Sequence, residues 1–225
     1  MGTQIALAAT FTPAACGHIG TWFDYPSGSG TITPAQGMFA FSPSPAALPA
    51  DAGPAVVSDA GDAGGPQAAC VSGITGSTQY NTSGIGLNFA TVPGSDGGGG
   101  NPLQGLLNAS AYTGINFWIY GGTDAGMQSL IVQLPDKQET PGFGCDNTVK
   151  DHECGGATKA ITIGPGWQPE HLAFSTFSIN PNYGDLNETA IDPSTLTQFQ
   201  VQILEPVADG GGVPFNFCIK NVSFF

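Results

Sequence analysis

Apolar and polar residues alternate along several short segments of the chain. In the segment 198–203 the apolar residues take one side and the glutamines the other, with Phe199, Val201 and Ile203 opposite Gln198, Gln200 and Gln202. Because successive side chains of a β-strand point to opposite faces, this pattern predicts a strand with one buried side. The same alternation predicts core strands at 85–89, 115–119, 130–134 and 161–163.

The last segment, FNFCIKNVSFF, shows this alternation with one interruption. Phe215, Phe217 and Ile219 fall on one side, and after Lys220 and Asn221 the apolar side resumes one residue out of phase. A β-bulge adds one residue to a strand and shifts the side-chain alternation by that residue. The segment therefore predicts a strand with a bulge near Lys220 and Asn221.

The composition also favours strands over helices. The 225 residues include 34 glycines and 18 prolines, and long helical periodicity is missing. Many short strands joined by turns are typical of an all-β sandwich. We expect one domain over residues 1–225, with a surface insertion rich in Pro, Gly, Ala and Asp at about 43–67.

The charge balance makes two classes of partner unfavourable. The chain has no arginine, four lysines and 17 acidic residues, giving a net charge of −13 at pH 7. Nucleic acids and anionic lipid surfaces attract clusters of lysine and arginine, which this chain lacks. No apolar run approaches the roughly 20 residues of a membrane-spanning helix. We therefore expect no nucleic-acid partner and no membrane insertion.

The cysteines indicate an oxidising compartment. Cys145 and Cys154 close a short loop, CDNTVKDHEC, which predicts a disulfide and favours a secreted or cell-surface protein. A second disulfide is predicted between Cys16 and Cys70, on either side of the insertion, with Cys16–Cys218 as the alternative. In the first arrangement Cys218 is the unpaired thiol.

Catalysis has little support in the sequence. A glycosidase with both carboxylates on one strand needs acids two or four residues apart, and no such pair falls on a predicted strand. Glu153 has such a partner, Asp151, but that pair lies within the cysteine loop. A uronate lyase needs cations that this chain lacks. The histidines match no nucleophile or zinc motif and are expected in turns or on the surface: His18, His152 and His171. We expect no enzyme activity, no cofactor and no metal.

Seven segments together resemble jelly-roll carbohydrate-binding modules of the galactose-binding-like type, found in secreted bacterial proteins. They are GHIGTWFDY, CVSGITGSTQYNTSGIGLNF, YTGINFWIYGG, the CDN to DHEC loop, GWQPEHLAFSTF, LTQFQVQI and FNFCIKNVSFF. The resemblance implies a two-sheet antiparallel β-sandwich with long loops and a non-catalytic, glycan-binding function. Modules of this kind often hold calcium through paired acids before the last strand. Here Lys220 and Asn221 stand at that place, so we predict no calcium there.

The predicted glycan-binding residues are planar amides and aromatic rings on the non-core side of strands. Aromatic faces stack on sugar rings, and amides pair with hydroxyl groups. The candidates are Asn116, Trp118, Tyr120, Gln133, Gln198, Gln200 and Gln202. Successive jelly-roll strands usually lie in opposite sheets, so these residues are not all expected on one face.

A second function is compatible with the same sequence. Few charges, many small residues and strand edges with few lysines are also typical of a β-rich subunit of an extracellular filament or surface assembly. In that alternative the N-terminal segment TQIALAATF completes the sheet of a neighbouring copy of the chain.

Overall fold

Almost all of the regular structure is β-strand. The computed structural model describes residues 22–25, 30–33, 42–43, 67–76, 82–92, 103–122, 128–140, 143–146, 148, 154–179, 189–204 and 212–225. In chain order the strands are β1 (Trp22–Tyr25), β2 (Thr31–Thr33), β3 (Ser42–Pro43), β4 (Gln67–Ile74), β5 (Thr82–Asn88), β6 (Ala90–Val92), β7 (Leu103–Gly105), β8 (Gly114–Gly121), β9 (Gln128–Leu134), β10 (Ala157–Ile163), β11 (Gly166–Ala173), β12 (Gln198–Leu204) and β13 (Pro214–Phe224). Short 3-10 turns cover Lys137–Glu139 and Phe174–Thr176.

Two antiparallel sheets form the body of the protein. Sheet I has the strand order β1-β5-β12-β9-β10, and sheet II has the order β11-β8-β13-β4-β2, with β3 also paired to β4. Strands β6 and β7 form a separate two-stranded ribbon. Apart from the consecutive strands β9 and β10, and β3 and β4, neighbours in each sheet are not consecutive in the chain, as in the pairing of β12 with β5 and β9. The predicted all-β sandwich is confirmed.

The core lies between the two sheets and consists of the predicted inward positions. Phe199, Val201 and Ile203 of β12 are buried, and so are the apolar residues predicted for β5, β8, β9 and β10. The rings of Phe117 and Phe199 meet edge to face across the sheets, with centroids 5.1 Å apart. Burying each such side chain contributes roughly 1.5–3 kcal/mol, so the alternating pattern fixes which face of each strand packs inward.

The bulge predicted in the last strand is confirmed. The pairing of β13 with β8 shifts register between Lys220 and Ser223. Asn221 has a φ of 56°, a left-handed conformation that asparagine tolerates better than most residues. Beyond the bulge, Val222 and Phe224 point back into the core.

One disulfide is as predicted and the other is not. Cys145 and Cys154 are bonded, with sulfurs 2.10 Å apart. The second bond joins Cys70 to Cys218, so the expected Cys16–Cys70 pair, its alternative Cys16–Cys218 and the free thiol at Cys218 are wrong. The physical reason is strand order: β13 pairs with β4 in a register that places Cys218 opposite Cys70, with Cα atoms 4.0 Å apart. Cys16 lies outside the described residues.

The two ends of the expected insertion meet at strand β3. Ser42 pairs with Ala68, and Pro43 pairs with Gln67, so the chain leaves and re-enters the fold at one place. Residues 44–66 lie outside the described part of the chain, as does the segment TQIALAATF. The expected boundaries of the domain and its insertion stay predictions.

Candidate functional site

The sandwich separates the candidate binding residues into two groups. Gln133, Gln198, Gln200 and Gln202 belong to sheet I, on β9 and β12, whereas Asn116, Trp118 and Tyr120 belong to β8 of sheet II. Within each group the residues alternate with core residues and therefore point outward. The two groups face opposite sides of the sandwich, so a single site containing all seven residues is ruled out.

We call the outer side of sheet I the glutamine face, defined by Tyr25, Asn88, Gln198, Gln200 and Gln202. The hydroxyl of Tyr25 lies 2.7 Å from Gln202 Oε1 and 3.0 Å from Gln200 Oε1, so its single proton can be donated to either amide oxygen. Gln200 Nε2 donates to Gln198 Oε1, and Gln198 Nε2 donates to Asn88 Oδ1 at 2.8 Å. These bonds run in one direction from Tyr25 to Asn88, and such chains polarise and strengthen one another.

The side chains that form these hydrogen bonds differ in their exposure to solvent. Gln198 and Gln202 are 7% and 9% exposed, and Gln133, which pairs with Gln200 across the strands, is 8% exposed. Gln200 and Asn88 are half-buried. The amides of Gln198 and Gln202 therefore position their neighbours, while Gln200 and Asn88 offer accessible polar groups.

Two aromatic rings of β1 lie on the outer side of sheet I, one of them the ring of Tyr25. Phe23 and Tyr25 are half-buried, with ring centroids 5.9 Å apart. Phe23 lies on Gly86 of β5, where an added Cβ atom would come within 2.3 Å of the ring. Burial raises the pKa of Tyr25 above its usual range, so the phenol keeps its proton and stays a donor. Sequence analysis missed both residues, although their spacing of two in a strand next to Trp22 was a usable signal.

The glutamine face is uncharged among the described residues. The outward positions of β1, β5, β9, β10 and β12 with described side chains carry amide, hydroxyl, aromatic, small or aliphatic groups. Asp24 and Lys159 alternate to the other side of their strands, opposite Ile85 and Val132. The face can therefore donate and accept hydrogen bonds but forms no ion pairs.

We call the outer side of sheet II the tryptophan face, defined by Trp118, Tyr120, Trp167, His171 and Lys220. Trp167 and Tyr120 pair across β11 and β8, with ring centroids 5.4 Å apart. Lys220 has no exposed surface, and its ammonium lies 3.8 Å from the centroid of the Trp167 ring. Burial lowers the pKa of Lys220 to about 8.

One pair of acids that sequence analysis overlooked is buried at the end of sheet I. Asp136 precedes the 3-10 turn that contains Glu139, and the two acids are three residues apart. Acids on one side of a strand are two or four residues apart, so the strand pattern does not identify this pair. Glu139 Oε2 accepts from the amide of Ala157 at 3.1 Å, and Asp136 Oδ2 accepts from the amide of Asp192 at 2.9 Å. Burial, with a smaller contribution from Asp136, raises the pKa of Glu139 to about 7.

The environment of this acid pair indicates a structural role. Glu139 is 1% exposed and Asp136 is 0% exposed, so a substrate has no access to either carboxyl group. The backbone carbonyl of Glu139 also accepts from Gly155, beside the short disulfide. The turn thus fastens the start of β10 and the disulfide loop to the end of β9.

The described residues contain neither a metal cluster nor a membrane-spanning helix. Within the described residues, no group of three or more His, Cys, Asp or Glu side chains is arranged to hold a metal ion. Across that same part of the chain, no helix is long and apolar enough to span a membrane.

Comparison with known proteins identifies the fold. No protein-family profile and no curated protein sequence matches the chain. A family 11 carbohydrate-binding module from Clostridium thermocellum, in complex with a β-1,3-1,4-mixed-linked tetrasaccharide, superposes with a TM-score of 0.54 at 11% identity, covering 100% of this chain and 97% of that one. The chain has the fold of a jelly-roll carbohydrate-binding module.

A second comparison supports the same fold assignment. The family 11 module of the cellulosomal cellulase Lic26A-Cel5E from the same organism superposes with a TM-score of 0.52 at 12% identity, covering 99% of this chain and 94% of that one. The predicted resemblance to jelly-roll carbohydrate-binding modules is therefore confirmed at the level of the fold. At this sequence identity the similarity shows the fold alone.

Proposed function

We propose that the protein is a secreted, non-catalytic glycan-binding module that binds an uncharged polysaccharide on the glutamine face. The observation that carries this proposal is the directed hydrogen-bond chain from Tyr25 through Gln200 and Gln198 to Asn88. Each planar amide both donates and accepts, which suits the neighbouring hydroxyl groups of a sugar. Because the chain of bonds is already formed, little side-chain freedom is lost on binding.

The bordering rings complete the chemistry of the proposed site. Phe23 and Tyr25 provide apolar surface for the C–H groups of a sugar ring, beside the accessible amides of Gln200 and Asn88. The face lacks charged groups among its described side chains, and the net charge of −13 disfavours polyanions such as uronates or sulfated glycans. The ligand class is therefore a neutral polysaccharide.

Secretion and the lack of catalysis belong to the same proposal. Two disulfides are typical of oxidising compartments. The buried acids Asp136 and Glu139 are inaccessible, and the described outward side chains of the glutamine face include no carboxylate. The filament alternative gains no support from the described residues, because its proposed exchanging segment lies outside them.

Isothermal titration calorimetry with soluble polysaccharides tests the proposal. Neutral mixed-linkage β-glucan, xyloglucan, galactomannan and agarose fragments are compared with polygalacturonate. We expect saturable binding to at least one neutral polymer and none to polygalacturonate. Tyr25→Phe and Gln200→Ala should each weaken binding about tenfold or more, since each leaves buried amide groups without their partner.

A matched glutamine variant serves as the control. Gln168 of β11 bonds to the carbonyl of Gly164, on the other sheet and away from the glutamine face. Gln168→Ala should leave the affinity unchanged. Equal affinity of all three variants and the wild type would remove the glutamine face as the site.

A further inference from the structure

The tryptophan face has no part in the proposed function, yet it displays an unusual density of aromatic surface. Trp118, Tyr120 and Trp167 are all half-buried on the outer side of sheet II. The ring of Phe225 stacks on exposed His171 at the end of the same face, with centroids 3.7 Å apart. These partly exposed rings form a strip of apolar surface on neighbouring strands, and exposed apolar patches mark interaction sites.

The orientation of Trp167 follows from its contact with Lys220. Lys220 projects outward from β13, and Trp167 of β11 reaches across the intervening strand β8 to lie on the ammonium. Lys220 has no exposed surface, whereas Trp167 stays partly exposed to solvent. The cation–π contact fixes the position of the Trp167 ring on this side of the sheet.

The charges around this strip restrict what can bind there. The described outward side chains of β8, β11 and β13 include no carboxylate. Lys220 is covered, and the other basic side chain among the described outward positions of these strands is the exposed His171. His171 is in turn bonded to Asn116, with Nδ1 and Oδ1 2.6 Å apart.

We propose that the tryptophan face is a second carbohydrate-binding surface, on which Trp167 and Trp118 stack against an uncharged polysaccharide chain. The partly exposed ring of Trp167 supplies the platform, and the amide of Asn116 supplies a polar group further along the same face, opposite His171. Together with the glutamine face on the opposite sheet, it lets one molecule hold two polysaccharide chains. Only this bridging step rests on the proposed function of the glutamine face.

Charge complementarity favours a neutral glycan over other occupants. A polyanion needs accessible cations, and here the ammonium is covered while the chain as a whole carries −13. A protein partner is usually fixed by an apolar core of contacts, whereas each of these rings is already half-buried and flanked by amide and hydroxyl groups.

Tryptophan fluorescence tests this surface independently of the glutamine face. The double variant Tyr25→Phe/Gln200→Ala is titrated with mixed-linkage β-glucan, agarose fragments, galactomannan and polygalacturonate. We expect a saturable fluorescence change with a neutral polymer in this variant. Because Trp167→Ala also removes a fluorophore, the loss of binding on adding it is measured by calorimetry. Trp167→Phe keeps a ring over Lys220 and should weaken binding by about tenfold at most. Thermal unfolding of each variant verifies folding.

Three results would overturn the proposed second surface. A wild type that binds by calorimetry while the double variant shows no fluorescence change would confine binding to the glutamine face and overturn the second surface. No binding of any neutral polymer by the wild type would overturn both proposals. A dimer in sedimentation velocity that Trp167→Ala converts to monomer would make the strip a protein interface and also overturn the inference.

Discussion

Replacing Glu139 with glutamine should change how the stability of the protein depends on pH. Burial beside Asp136 raises the pKa of Glu139 from 4.5 to about 7. A carboxyl group with a raised pKa in the folded state stabilises the fold fully below pH 4.5, and this contribution is lost as the pH rises through about 7. At about 1.4 kcal/mol for each pH unit, the loss amounts to roughly 3 kcal/mol.

Glutamine has nearly the same shape, and its Oε1 can still accept from the amide of Ala157, but it stays neutral at every pH. Urea unfolding of wild type and Glu139→Gln at pH 5 and pH 8 measures the difference. The stability of the variant relative to wild type should increase by about 2.5 kcal/mol between these two pH values, because part of the effect is already lost at pH 5.

A surface carboxylate provides the control for simple charge removal. Asp146 is exposed, and hydrogen bonds from Thr148 lower its pKa, so its contribution is lost only at acidic pH. Asp146→Asn should therefore leave the difference between pH 5 and pH 8 unchanged. If the stability difference between Glu139→Gln and wild type is the same at both pH values, Glu139 is not a buried, protonated acid.

Two other perturbations test the packing of the sheets. Gly84→Ala should cost about 1–3 kcal/mol in urea unfolding, because the added carbon would lie 2.3 Å from the backbone carbonyl oxygen of Val201. Gly164→Ala, whose nearest neighbour would be 3.6 Å away, should change little, and equal effects would refute the contact. Replacing Cys70 and Cys218 together by alanine should destabilise by about 2–5 kcal/mol. The two cysteines are 148 positions apart, whereas Cys145 and Cys154 are 9 apart. Removing the Cys70–Cys218 disulfide should therefore destabilise the fold more than removing the Cys145–Cys154 disulfide.

The strands and their buried sides were predictable because the alternation is local. Phe199, Val201 and Ile203 need only a period of two to be placed in the core. The bulge at Asn221 was predictable for the same reason, since an inserted residue reverses the alternation within one strand.

The pairing of distant strands could not be read from the same pattern. Nothing in the local sequence shows that the last strand lies beside β4, and this neighbourhood is what joins Cys218 to Cys70. The same limit applies to the binding residues. Alternation identified Gln200 and Trp118 as outward, but only the sheet order shows that they face opposite sides.

The contacts of Tyr25 and Trp167 could not be predicted from the alternation of apolar and polar residues, and both residues lie on edge strands. Tyr25 lies on a four-residue edge strand, and its role depends on reaching Gln200 and Gln202, more than 170 positions away in sequence. Trp167 follows a glycine turn, and its contact with Lys220 crosses an intervening strand. Such contacts depend on three-dimensional proximity that single-strand patterns do not carry.

Side-chain amide signals in NMR give the most direct test of glycan binding by the glutamine face. The Nε2 groups of Gln198 and Gln200 and the Nδ2 group of Asn88 are followed while a neutral polysaccharide fragment is added. We predict saturable shifts that are largest for Gln200 and Asn88, and in Tyr25→Phe the same shifts should need about tenfold more ligand. Binding measured by calorimetry that leaves the signals of Gln200 and Asn88 unchanged would contradict the account.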